Sequence, residues 1–224
     1  MSKLFPTVWY KFFKQFFPRK REEVNKVVML DDYGFRMYWQ IRIALLFGLE
    51  GVIFGDSNAE ELQDFESMKR LVKLCVNIGI GGTTADEWAD FFKKGYWGKK
   101  IYSLISKKIM IANIGGNNVL QNRMPGLSGI DELDNIFEDI YWINIPKVWY
   151  TLFPRDIRKD LKMANNKIKS VAKPGKLIDI ELVTDSGSSD LPYFFIHKDM
   201  VHFSNEFDYK VRIPLINATV FKAL

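Results

Sequence analysis

The chain reads as an α/β protein, a three-layer α/β/α sandwich with a five-stranded parallel sheet, and three observations predict this. Short apolar runs rich in β-branched residues alternate with longer amphipathic segments, the pattern of parallel strands joined by covering helices. The 224 residues are 47% hydrophobic and 26% charged, enough for one domain with a sizeable buried core. The only cysteine, Cys75, sits in the apolar run LVKLCVNIG, so no intramolecular disulfide framework exists and packing must hold the fold.

Taken in order, residues 5–17 come first. At about 100° per residue, Phe5, Trp9, Tyr10, Phe12, Phe13, Phe16 and Phe17 share one face opposite Lys11, Lys14 and Gln15, which predicts an amphipathic helix. Pro6 suits its first turn and Pro18 marks its stop. Residues 1–47 are therefore expected to form an N-terminal extension and residues 48–224 the domain. Strands are predicted at Gly51 to Gly55, Val72 to Asn77, Lys108 to Ile114, Lys147 to Phe153 and Lys176 to Leu182. Helices are predicted at Ala59 to Arg70, Ala85 to Lys94, Ile130 to Tyr141 and Arg155 to Val171, with a less regular tail after Tyr209.

Charge narrows the partners. The net charge is +5, but Lys3, Lys11, Lys14, Arg19, Lys20 and Arg21 all precede the first acid, Glu22, so the domain itself is close to neutral. A nucleic-acid binder would spread basic groups along a face and interleave them with stacking aromatics, so none is expected as a partner. Two histidines and one cysteine do not supply a Cys/His zinc site. No run reaches the roughly 18 to 20 apolar residues of a spanning helix, and Lys11 and Lys14 break any secretory core, so the cytoplasm is expected. Residues 1–21 have two readings, docking on the domain or on a second copy as a homo-oligomer, or peripheral contact with an anionic membrane.

In an open parallel sheet the ligand site forms beyond the C-terminal ends of the strands, so the residues that follow each strand are the candidates for chemistry. Gly55-Asp56-Ser57-Asn58 follows the first predicted strand and puts a serine at the crevice. Asn77-Ile78-Gly79-Ile80-Gly81-Gly82-Thr83-Thr84 follows the second; its glycines permit close backbone approach, but it lacks the Gly-Lys-Ser/Thr ending of a P-loop. Gly115-Gly116-Asn117-Asn118 follows the third. Near the C-terminus, Asp199 stands three residues before His202, a spacing that lets a carboxylate hold one imidazole nitrogen while the other takes a hydroxyl proton. His197 reads as structural.

In this order the four segments resemble the blocks of the SGNH, or GDSL, hydrolases, over about residues 48 to 205. Phe54-Gly55-Asp56-Ser57 looks like the first block, the run ending in Gly82 the second, Gly115-Gly116-Asn117-Asn118 the third, and Asp199-Met200-Val201-His202 the last. The chain departs from the pattern at Asn118, where the family usually has Asp. The resemblance implies a flavodoxin-like sandwich and a carboxylic ester hydrolase working through an acyl-enzyme. It assigns Ser57 as nucleophile, His202 as general base, Asp199 as the group orienting His202, and Ser57, Gly82 and Asn117 as oxyanion-hole donors. It requires neither metal nor organic cofactor. Acetylated sugars, lysophospholipids and other lipid esters all fit as substrates, and Gln121 to Gly129 is a candidate substrate-contacting loop. The competing class is a catalytically silent domain of the same fold, recruited to a membrane or complex by its N-terminal helix.

Overall fold

The structure, a computed structural model, describes residues 30–62, 68–146, 155–183 and 202–222. The expected helix over 5–17 lies outside them. Five strands form one sheet: β1 (Gly51–Gly55), β2 (Cys75–Asn77), β3 (Ile109–Asn113), β4 (Ile140–Ile143) and β5 (Leu177–Ile178). Their order is β2-β1-β3-β4-β5, every pairing is parallel, and helices lie on both sides. The predicted α/β/α architecture is therefore what the chain adopts.

β1 is the centre of the core. All five of its residues are buried, as expected of a strand covered on both faces. From one face Phe54 meets Trp88 and Phe92, with ring centroids 5.2 and 5.8 Å away, and Phe92 meets Phe137 at 4.9 Å. Trp88 and Phe92 belong to α3 (Ala85–Lys94), which packs against the next helix, α4 (Tyr96–Ile105), and touches the first, α1 (Leu30–Leu46); the short helix α2 (Ser57–Glu61) follows β1. α1 sits in the segment read as extension, yet Met37 and Ile41 are fully buried. It approaches α4 so closely that a Cβ on Gly34 would fall 2.2 Å from the Trp97 side chain, and Asp31 accepts the Trp97 N–H at 2.9 Å.

The fourth strand corrects the sequence reading. It is Ile140–Ile143, two residues of which fall in the predicted helix Ile130 to Tyr141; the predicted run Lys147 to Phe153 lies outside the described residues. The helix before it, α6 (Ser128–Ile136), follows the third-block helix α5 (Gly116–Leu120) and ends where Phe137 turns extended, with φ −113° and ψ 121°. Periodicity alone does not separate a buried helix end from a short buried strand. α7 (Arg155–Val171) has the predicted bounds, and a short α8 (Ile180–Val183) begins two residues after β5.

The tail expected to be irregular is helical. α9 (Asn205–Phe207) runs through a π turn, Asp208–Arg212, into α10 (Ile213–Val220). Pro214 and the β-branched residues weaken the helical signal, and the widened turn is a tertiary feature without a local signature.

Cys75 is buried at the sheet, and loss of solvent pushes its thiol up to about 12. Thiol-specific reagents should leave the native protein unlabelled at neutral pH and label Cys75 fully in denaturant, as intact mass will register.

Candidate active site

The strand order places a topological switch at β1 and β3, where the chain first crosses to β2 and then returns to the other side. The residues after those two strands meet there. Gly55, at φ +140°, leaves β1 so close to its neighbour that a Cβ would lie 2.0 Å from the Asn113 carbonyl oxygen, so only glycine fits. The next amide, that of Asp56, donates to the same Asn113 oxygen at 3.1 Å.

Asp56, not Ser57, caps the helix: its carboxylate accepts the Asn58 N–H at 3.0 Å. Ser57 is thus the first residue of α2, half-buried, and its hydroxyl is left out of the capping bond. A single helical turn leaves carbonyls without intrahelical partners. Two distant side chains take them: Arg212 Nη1 donates to Asn58 O at 2.8 Å, and Asn77 Nδ2 to Ala59 O at 2.6 Å.

The second block is fastened to the first. Trp88 Nε1 donates to Thr83 Oγ1 at 2.9 Å, and the Thr83 hydroxyl donates to Ile80 O at 2.6 Å. Glu60 accepts the Gly81 N–H at 2.8 Å, tying the glycine loop to α2. Gly82 is exposed at φ +82°, and its carbonyl accepts from Gln121 Nε2 at 2.7 Å, which brings the segment Gln121 to Gly129 against this loop.

In the third block, Asn117 is buried, and its Nδ2 donates to Thr83 O at 3.1 Å, so the amide lies beside the second block. Its backbone N–H serves the Asp56 carboxylate. The departure at Asn118 has a local reason. Its Oδ1 accepts the Ala85 N–H at 3.0 Å, while its Nδ2 faces two acceptors, Asp86 Oδ1 and Arg123 O, each at 3.3 Å. A carboxylate at this position would oppose Asp86, so an amide is the side chain that satisfies both sides. Arg123 completes this corner, bonding Glu87 and Asp86 at 2.6 Å each.

His202 stands over α2. Its Nδ1 lies 3.6 Å from Glu61 Oε1, and the following residue, Phe203, donates its N–H to Asn58 Oδ1 at 3.3 Å. Ser57 and Glu61 are one helical turn apart on the same face of α2. Asp199 lies outside the described residues. Sequence reasoning missed Glu61, Asn58 and Arg212; only Glu61 had a legible signal, its i+4 spacing from the serine.

Burial pushes the Asp56 carboxyl up to about 7, against the opposing pull of the Asn58 and Asn117 amides and of the nearby His202 and Arg212 charges. Raised from 3.8, the native group holds its proton where the unfolded chain has lost it, so stability falls as pH climbs from about 4 to about 7. The full span corresponds to about 4 kcal/mol. Asp56→Asn should flatten that slope: the variant's stability relative to wild type rises across this window and is level outside it, as urea midpoints at a series of pH values will read.

Among the described residues, no cluster of three or more His, Cys, Asp or Glu side chains is arranged to hold a metal, and no helix is long and apolar enough to cross a membrane. No protein-family profile and no curated sequence matches the chain. Solved structures do. A GDSL-like lipase from Bacteroides thetaiotaomicron VPI-5482 superposes with a TM-score of 0.59 at 19% identity, covering 87% of this chain and 100% of its own. LAE5, an alpha/beta hydrolase enzyme from the metagenome of Lake Arreo, gives 0.54 at 17% identity, covering 77% and 94%. The lipase/acylhydrolase from Enterococcus faecalis gives 0.50 at 16%, covering 76% and 95%. At these identities the likeness is one of fold: the chain has the fold of GDSL-like lipases and acylhydrolases.

Proposed function

We propose that the protein is a serine ester hydrolase that cleaves a carboxylic ester through an acyl-enzyme. The observation that carries this reading is convergence. Asn58 and Phe203, the residues following the proposed nucleophile and base, are 145 positions apart and hydrogen-bonded to each other, while the buried Asn117 gives its backbone N–H to Asp56, the residue before the proposed nucleophile. In the proposed reaction Ser57 Oγ attacks the ester carbonyl carbon as its proton passes to Nε2 of His202, the nitrogen on the far side of the ring from Glu61. Asp199 orients the imidazole and stabilises its protonated form. The oxyanion rests on the backbone N–H groups of Ser57 and Gly82 and on the second N–H of the Asn117 amide, the first being held by Thr83 O. When the tetrahedral intermediate collapses, the imidazolium protonates the departing alkoxide. Water, deprotonated by the same imidazole, then releases the acid and restores Ser57.

Acetylated sugars and lipid esters remain the substrate classes of this proposal, and acyl chain length distinguishes them. Turnover of p-nitrophenyl esters from acetate to dodecanoate should show a clear chain-length preference, and a fluorophosphonate probe should leave its adduct on the peptide containing Ser57. Neither turnover nor adduct across the series would overturn the hydrolase reading in favour of a silent interaction domain.

A further inference from the structure

We infer that Arg212 and Asn58 form a positioning device that holds the His202 segment on the nucleophile helix, an inference that rests on the hydrolase reading for its catalytic consequence. Arg212 is fully buried, yet only one carboxylate pairs with it among the described residues, Asp208 at 2.7 Å from Nε. Removing a guanidinium from water is costly, and a well-packed apolar side chain commonly serves stability as well or better. What the guanidinium provides here is reach in several directions. Nη1 donates to Asn58 O at 2.8 Å and to Asn113 Oδ1 at 2.9 Å, so one group joins α2 to the end of β3. Its carbon lies 4.6 Å from the centroid of the Phe203 ring, directly after His202. Asn58 closes the circuit by accepting the Phe203 N–H through Oδ1.

The backbone is adapted to this. Asp208–Arg212 forms a π turn, an insertion that re-aims a helical side chain and recurs at functional sites. Asp208 and Arg212, one turn apart, both point inward and are buried. Thus the residues adjoining Ser57 and His202 share one buried cation, and neither side chain of the device need touch substrate.

Removing Arg212 alone would strand Asp208 in the core, so the test replaces both, Asp208→Leu with Arg212→Met, and separately Asn58→Ala. The folded variants are expected to lose about 10- to 100-fold in kcat with KM changed less than about twofold, since the serine and imidazole are misaligned and substrate contacts are kept. Combining the substitutions should cost little more than the worse of them, as for parts of one network. Amide exchange at Phe203 should speed up in each. Wild-type kcat together with wild-type exchange at Phe203 in a folded variant would overturn the inference. If the wild type hydrolyses no ester, the hydrolase reading fails on its own, while the exchange of Phe203 still decides whether Arg212 and Asn58 hold that segment.

Discussion

Ser57→Ala is expected to lower kcat on the best ester by a factor on the order of 10⁴ to 10⁶, and His202→Ala by a similar factor, with the double variant no worse than either. The non-additivity is the informative part, because in the proposed mechanism nucleophile and base act as a unit and removing one leaves nothing for the other to do. Stability should hardly change. Asp56 rather than Ser57 caps α2, so the serine hydroxyl can be deleted without exposing a helix amide, and His202 keeps a quarter of its side-chain surface in solvent. Steady-state kinetics and thermal melting on the same preparations check both statements. A Ser57→Ala protein with more than about a tenth of wild-type kcat would place the nucleophile elsewhere.

Asn117→Ala should reduce kcat by about 10² to 10³, roughly 3 to 4 kcal/mol of transition-state stabilisation, with KM nearly unchanged. The neighbouring Asn118 supplies the contrast. Its buried amide joins Ala85, Asp86 and the Arg123 carbonyl, so Asn118→Ala strands several polar groups and should cost about 1 to 3 kcal/mol of folding stability. One substitution therefore lowers turnover at a normal melting temperature and the other lowers the melting temperature first. If the selective loss of kcat follows Asn118 instead, the third block is misassigned by one residue. Loss confined to KM for Asn117→Ala would make its amide a substrate contact.

Legibility differed from element to element for physical reasons. β1 and β3 could be located from their apolar runs because a strand buried on both faces tolerates little else, and α3 and α7 because their apolar faces repeat at helical spacing over 10 and 17 residues. β4 could not, because its four residues follow a helix without an intervening turn signal. The packing of α1 on α4 is not legible either, since nothing in the sequence of α1 states that Trp97 will close over Gly34. The same holds for the C-terminal helix, whose π turn is stabilised by partners up to 154 positions away.

By itself the sequence determined the α/β class, the parallel sheet, and the four motif segments that lie after its strands or near the C-terminus. Those features depend on local periodicity, on glycine where backbones nearly touch, and on residue types that carry chemistry. The tertiary structure decided what those residues face: Asp56 as the cap, Glu61 beside His202, an amide at position 118 because Asp86 opposes it, and Arg212 beneath α2. Such facts depend on which buried polar group meets which partner after the strands have been ordered 2-1-3-4-5. A desolvated charge or amide is satisfied by groups brought near in space, and that pairing has no period along the chain.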